Sequence, residues 1–170
     1  MNLQQFNHQD KDSLFQELEK CCGSQQWIKA ILAARPYASL ERLHAFSDKV
    51  WEKLDTDDYL EAFSHHPQIG NIDSLKKKFA STALWAGSEQ QGTAQASDAL
   101  LQNLKQCNET YLQKFGFIFI VCATGKSAQE MLDLLNQRLT NDRITELQIA
   151  AAEQNKITHI RLNKLLKNIA

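Results

Sequence analysis

The sequence has few residues that interrupt helices, with two prolines and six glycines among 170 residues. This scarcity favours long helices over many tight turns. The four cysteines include no CxxC pair, a pattern typical of reduced thiols in a cytoplasmic protein rather than of a disulfide framework. No P-loop, G-x-G-x-x-G, G-x-S-x-G or HExxH motif is present, so the common signatures of nucleotide binding, serine hydrolysis and zinc proteolysis are missing.

An excess of charge of either sign is also lacking, since 19 basic and 20 acidic residues give a net charge of −1. The single basic cluster, Lys76–Lys78, neutralises too few phosphates to suggest a nucleic-acid partner. The longest apolar run, residues 115–123, is about half the length that crosses a bilayer, so no membrane partner is expected. The first ten residues are too polar for a signal peptide, and we expect a cytoplasmic protein.

Helical apolar periodicity recurs along the chain behind candidate N-caps. The expected caps or helix starts are Asp12, Ser24, Ser39, Thr56, Ser127, and Thr140 or Asn141. The run FGFIFIVCA (115–123) is rich in strand-forming residues, but it has no partner strand elsewhere. We therefore expect it to be a buried helical segment or an extended piece among helices. The prediction is an all-α fold, one domain over residues 1–170, built as a helical bundle of about seven or more helices.

His66 stands in an unusual setting because Pro67 follows it. Proline disfavours helical geometry in the residue before it, so a helix ending there would present the imidazole at a chain reversal. Such a histidine can exchange a proton at neutral pH, or it can be a capping or surface residue. Neighbouring His65 suggests a metal pair, but adjacent side chains rarely share one ion, and no third ligand stands at helical spacing. No metal site is expected.

Two further polar residues remain open to two interpretations. Glu89 lies in a loop of small polar residues, AGSEQQG, where it is either a solvated acid or a functional carboxylate. Arg161 lies on the apolar stripe of the last predicted helix. Its stem can line the rim of the core, or its planar guanidinium can offer two parallel donors to a substrate carboxylate.

Four segments in order resemble one known family. They are FSHHPQIG (63–70), WAGSEQQG (85–92), ETYLQKFGFIFIVCATGKS (109–127) and ITELQIAAAEQNKITHIRLNKLL (144–166). Together they resemble the decarboxylases of 2-oxo-4-hydroxy-4-carboxy-5-ureidoimidazoline (OHCU), which form S-allantoin and carbon dioxide in the last step of urate degradation. Each motif alone is weak, but the ordered set is specific.

The resemblance implies a cofactor-independent helical enzyme, usually a homodimer, acting on a small molecule. It implies catalytic roles for His66, Glu89 and Arg161. It also implies substrate binding by three parts of the chain. These are Pro67, the loop residues Ala86, Gly87, Ser88 and Gln90, and the backbone of Phe119, Ile120, Val121, Cys122 and Ala123. Serine is common in the family where this chain has Ala86, so one substrate hydrogen bond is missing here or is replaced by Ser88.

Two other functions fit the residues without the resemblance. Amphipathic helices can serve a non-enzymatic interaction module, which would lack a pocket joining His66, Glu89 and Arg161. A metal-dependent hydrolase using His65 and His66 would bind metal and lose activity with a chelator.

Overall fold

The computed structural model describes residues 1–67 and 92–166, and within these ranges every regular element is a helix and no strand occurs. The prediction of an all-α fold with about seven or more helices is confirmed. Eight helices occur in the described residues. They are α1 (Leu3–His8), α2 (Lys11–Cys21), α3 (Gln25–Ala33), α4 (Leu40–Trp51), α5 (Thr56–Ser64), α6 (Gly92–Phe115), α7 (Ala128–Arg138) and α8 (Arg143–Leu166).

Serine side chains begin α3, α4 and α7, as the sequence predicts. Ser24, Ser39 and Ser127 each accept a hydrogen bond from the backbone N–H three residues further on. This contact satisfies one of the N–H groups that the first turn of a helix leaves without a partner. At α7 the cap is reciprocal, because Glu130 accepts from the N–H of Ser127.

At two other helix starts the predicted capping residue is wrong, and the residue that caps the helix lies one or two positions away in sequence. Asp10, not Asp12, caps α2. Asp142, rather than Thr140 or Asn141, accepts from a backbone N–H in the first turn of α8. In both places several cap-forming residues stand close together in sequence, and the backbone geometry decides which one is used.

The described chain clusters into two compact units, the first made of Met1–His66 with Ala150–Ala170 and the second of Pro67–Ile149. In the first unit the apolar faces of α1–α5 and the later part of α8 share a core. Its fully buried large side chains include Phe6, Leu14, Leu18, Trp27, Ile28, Ile31, Leu43, Phe63 and Leu162. The indole N–H of Trp27 donates to buried Ser47 at 3.0 Å, so this core leaves that polar group satisfied.

The second unit packs α6 and α7 with the start of α8 around aromatic side chains. Tyr111 contacts the rings of Phe115, Phe117 and Phe119, with centroids 4.6, 5.9 and 5.2 Å away. Residues 117–123 are neither helix nor strand, so the helical alternative for the β-rich run is wrong over these residues. The prediction of one domain over 1–170 stays a prediction.

Among the described helices none combines the length and apolar character needed to span a bilayer.

Candidate active site

His66 follows the last turn of α5, where the chain leaves the helix. Its backbone N–H donates to Phe63 O at 3.1 Å, and the N–H of His65 donates to Ala62 O at 3.3 Å. These shorter-range bonds tighten the helix end, a common way of satisfying terminal carbonyls. Pro67, which is exposed, comes next and cannot continue the helix. The sequence argument that a helix ends at His66 therefore agrees with the structure, and the imidazole there is half-buried.

Two contacts hold the C-terminal half of α5 in place. Glu61 accepts a hydrogen bond at 2.9 Å from the N–H of Gln25, the first residue of α3, where a carboxylate is favoured by the helix dipole. Gly23 lies against His65, and a β-carbon at Gly23 would overlap Cγ of that ring. The absence of a side chain at Gly23 therefore allows the close approach of the segment that carries His66.

The imidazole of His66 is hydrogen-bonded through Nε2 to Oε1 of Gln154, a residue of α8 with 0% exposure. The Nε2 of Gln154 donates to the Thr158 hydroxyl oxygen at 3.2 Å. That hydroxyl in turn donates to the backbone carbonyl of Gln154 at 3.0 Å. His66 is thus joined to a buried polar pair on α8.

Arg161 lies one turn further along the same face of α8. Positions 154, 158 and 161 follow the i, i+4, i+7 spacing of a single helix face. The Nη1 of Arg161 donates to Lys20 O at 3.1 Å, at the C-terminal end of α2. A cation is favoured there because the last carbonyls of a helix carry partial negative charge. Within the described residues Nη1 is the one Arg161 nitrogen with a hydrogen bond, so Nε and Nη2 remain as donors.

Adjacent to Arg161 and Thr158 lie the thiols of Cys21 and Cys22. Desolvation raises the pKa of each thiol to about 12. The positive charge of Arg161 lowers both pKa values, but by less than desolvation raises them. Both thiols are therefore protonated at neutral pH and are poor nucleophiles. They form an apolar wall rather than a reactive pair.

The proposed substrate-binding backbone, residues 119–123, belongs to the second unit. Its Ile120 carbonyl accepts from Arg138 Nη1 at 2.6 Å, and its Cys122 carbonyl accepts from Lys126 Nζ at 2.9 Å. The Ala123 carbonyl accepts from the Lys126 N–H at 3.1 Å. Three carbonyls of the segment are thus engaged by the protein, while the main chain of Val121 has no hydrogen bond within the described residues.

A buried ion pair holds the side chain that donates to Ile120 O. Arg138 Nη2 lies 2.5 Å from Oε1 of Glu146, whose side chain is fully buried. The Tyr111 hydroxyl donates to the same carboxylate oxygen. Burial, and then this hydrogen bond, raise the pKa of Tyr111 far above its usual range, so the phenol stays neutral as a donor. Asn141 donates to the other carboxylate oxygen at 2.9 Å, which completes the shell around Glu146.

Five of the site residues named from sequence lie outside the described residues. They are Ala86, Gly87, Ser88, Glu89 and Gln90. In the ranges 1–67 and 92–166, no group of three or more His, Cys, Asp or Glu side chains is arranged to hold a metal ion. The roles inferred for His66, Glu89 and Arg161 stay predictions.

Sequence reasoning missed Gln154, Thr158 and Arg138. The first two share the i, i+4, i+7 spacing with Arg161, so that spacing is the signal by which they could have been found. Nothing in the sequence links Gln154 to a histidine 88 positions earlier. Arg138 reads as an ordinary C-terminal basic residue of α7, where a cation is expected for other reasons.

The fold and these contacts define an all-helical protein whose conspicuous polar feature is a helix-terminal histidine anchored by a buried amide. The model of the OHCU decarboxylase family matches residues 7–163, and the chain belongs to this family.

Relatives support the assignment over nearly the whole chain. The uric acid degradation bifunctional protein TTL of Arabidopsis thaliana is 42% identical over 156 residues, which are 91% of this chain and 48% of the relative. The bifunctional protein PucL of Bacillus subtilis is 28% identical, and the match covers 96% of this chain and 32% of PucL. The chain therefore spans half or less of these relatives. A Haloferax volcanii relative named 2-oxo-4-hydroxy-4-carboxy-5-ureidoimidazoline decarboxylase is 24% identical, and the match covers 95% of this chain and 94% of that relative.

Two solved structures share the fold. One, an OHCU decarboxylase crystallised in the presence of (S)-allantoin, superposes with a TM-score of 0.71 at 37% identity, covering 89% of this chain and 98% of that one. The other, an (S)-allantoin synthase, has a TM-score of 0.68 at 18% identity, covering 96% of this chain and 54% of that one. The second likeness concerns the fold alone.

Proposed function

We propose that this protein is a cofactor-independent decarboxylase that converts OHCU to S-allantoin and carbon dioxide in urate degradation. The observation that carries the proposal is the family match over residues 7–163, which includes His66 and Arg161. The Arabidopsis and Bacillus relatives named for uric acid degradation support the same pathway. The imidazole of His66, held at the end of α5 by Gln154, supports the proposal because it can serve as a proton donor.

The substrate can accept the electrons that decarboxylation releases. When the bond between the ring carbon and the carboxylate breaks, carbon dioxide leaves, its electron pair forms a C=C bond, and the π electrons of the adjacent C=N bond move to the ring nitrogen. The enol so formed becomes a carbonyl as a proton adds to the carbon that carries the ureido group, and the ring nitrogen takes up the proton that the hydroxyl loses. Because the substrate has its own electron sink, the protein has to orient the carboxylate, stabilise the shifted charge and deliver one proton to one face.

His66 is the proton donor in this scheme, because an imidazole can give and regain a proton near neutral pH. Arg161 pairs with the carboxylate or polarises a carbonyl through Nε and Nη2, while Nη1 keeps its bond to Lys20 O. Glu89 holds ring or hydroxyl hydrogens. The main chain of Val121 offers an N–H and a C=O to a ureido group, with neighbouring carbonyls already engaged.

The proposal includes a homodimer in the cytoplasm that binds no metal and no organic cofactor. Four free cysteines suit a reducing compartment. Exposed Ile144 and Leu112, at 78% and 36%, are large apolar side chains suited to an interface between copies. Light scattering at micromolar concentration should give twice the chain mass, and a monomer mass would contradict the dimer.

The test of the activity uses OHCU generated freshly from urate by two upstream enzymes. Spontaneous decay of OHCU yields allantoin without a preferred hand, so circular dichroism separates enzymatic from spontaneous product. We expect faster allantoin formation and an excess of the S enantiomer when the protein is present, unchanged by a chelator. Equal rates with and without the protein, and no S excess, would refute the decarboxylase and leave an interaction module as the alternative.

A further inference from the structure

The orientation of the Gln154 side chain is determined by Thr158. The Thr158 hydroxyl hydrogen is used in the bond to the Gln154 backbone carbonyl at 3.0 Å. Toward the Gln154 side chain the hydroxyl oxygen can therefore only accept, and the atom 3.2 Å away must be the amide nitrogen. The amide oxygen is then the atom that faces His66.

This orientation decides which nitrogen of His66 carries a hydrogen. An amide oxygen accepts and never donates, so its partner, Nε2 of His66, must be the donor. In the neutral imidazole the other nitrogen, Nδ1, then has no hydrogen and is the one that titrates. The chain from Thr158 through Gln154 to His66 thus specifies a single tautomer.

We propose that Gln154, oriented by Thr158, is a positioning residue that holds His66 in its Nε2–H tautomer, so that Nδ1 handles the proton in catalysis. The inference rests on the proposed decarboxylation for its catalytic meaning. In the reaction, Nδ1–H of the imidazolium gives its proton to the ring carbon, and Nδ1 regains a proton from water. Nε2 keeps its hydrogen throughout.

The chemistry of Gln154 suits this role because it is neutral. A carboxylate at the same place would fix the tautomer equally well, but it would also stabilise the imidazolium and weaken it as an acid. Among the described titratable groups near His66 in sequence, Glu61 accepts from the N–H of Gln25 and His65 lies against Gly23. Cys22, beside Thr158, is a neutral thiol, since burial raises its pKa to about 12. Arg161 is one turn away on α8 and donates to Lys20 O.

The first measurement needs no variant and no activity. Proton–nitrogen correlation spectra of the ¹⁵N-labelled protein show which ring nitrogen of His66 carries the hydrogen when the imidazole is neutral. The spectrum of His66→Asn assigns the signals of His66. We expect a hydrogen on Nε2 and none on Nδ1. A hydrogen on Nδ1 in the neutral ring would overturn the inference, even if the protein decarboxylates OHCU.

The second measurement uses a matched set of variants. Gln154→Leu removes the acceptor, and Thr158→Val removes the hydroxyl that orients it, whereas Thr158→Ser keeps that hydroxyl. We expect kcat to fall by about 10- to 100-fold in the first two, the scale for losing an orienting partner of a histidine, with a smaller change in KM. Thr158→Ser should retain most of the wild-type kcat. Helical content by circular dichroism identifies any variant that fails to fold.

A third variant separates orientation from charge. Gln154→Glu keeps an acceptor for Nε2 but adds a negative charge, so the pH at which kcat changes should move upward while the tautomer stays the same. An unchanged pH profile in Gln154→Glu, or wild-type kcat in a folded Gln154→Leu, would contradict the positioning role. An inactive wild-type protein with the expected Nε2–H signal would refute the decarboxylase alone.

Discussion

Gly23 and His65 lie in contact, and the space between them leaves no room for a side chain. A β-carbon at Gly23 would overlap Cγ of His65 and lie 2.6 Å from its Cβ. His65 caps the C-terminus of α5, with φ −79° and ψ −7°. The loop between α2 and α3 therefore sets where α5 ends and, through the next residue, where the His66 imidazole lies.

The first prediction concerns this contact. Gly23→Ala should displace the end of α5, lower the free energy of unfolding by about 1–3 kcal/mol as overpacking does, and reduce turnover. Adding His65→Gly removes the conflicting side chain, so the double variant should recover stability relative to Gly23→Ala. Urea unfolding of the two single variants and the double variant measures this coupling. Strictly additive losses would show that the contact is unimportant.

The second prediction concerns the buried pair in the second unit. Arg138→Met should lower the free energy of unfolding by about 3–5 kcal/mol, because it leaves the Glu146 carboxylate buried without its cation. It should also raise KM, since the Ile120 carbonyl loses its donor. Adding Glu146→Gln removes the uncompensated charge and should restore part of the stability. Denaturant unfolding checks this, and a loss below about 1 kcal/mol in Arg138→Met would contradict it.

The third prediction concerns pH. Partial burial raises the pKa of Asp48, but hydrogen bonds from Asn155 and His159 outweigh this and bring the pKa below 3.8. His159 Nε2 lies 2.6 Å from the carboxylate, and its ring stacks on His44 with centroids 4.3 Å apart. Because the folded pKa is the lower one, the carboxylate stabilises the folded state above pH 3.8, and this contribution disappears as the pH falls through the folded pKa.

Asp48→Asn should accordingly be less stable than wild type at neutral pH, and the difference should shrink below pH 3.8. Urea unfolding of both proteins over a pH series gives the comparison. A stability difference that stays constant down to strongly acidic pH would show that the carboxylate charge has no part in it.

The fourth prediction concerns Arg161. Arg161→Lys keeps the charge but loses the planar fork that serves Lys20 O and a substrate together. We expect kcat/KM to fall at least ~10-fold, the effect of losing one charge-assisted hydrogen bond. Arg42→Lys, at an exposed position of α4, is the control and should leave kcat/KM unchanged. Equal activity of Arg161→Lys and wild type would remove Arg161 from the substrate site.

Local sequence signals predicted the helices well, because caps and apolar periodicity act over a few residues. Ser24, Ser39 and Ser127 each begin a helix as predicted. The short helix α1 was missed, although Asn2 caps it in a reciprocal bond with Gln5. Helices of this length have too little periodicity to be recognised.

Long-range contacts were beyond the sequence signals. The run 115–123 has the composition of a strand, but residues 117–123 form no strand, and Arg138 and Lys126 satisfy carbonyls there in place of a neighbouring strand. The setting of His66 could be read from Pro67, whereas its partner Gln154 could not, since the fold alone brings them together.

The central claim is that His66 handles the proton in decarboxylation, and steady-state turnover of His66→Asn and His65→Asn tests it most directly. Asparagine is shorter than histidine and does not titrate near neutral pH, so His66→Asn should lose at least ~10²-fold in turnover while keeping wild-type helical content. His65→Asn, one residue away at an exposed position, should stay close to wild type. An active His66→Asn together with an inactive, folded His65→Asn would contradict the assignment.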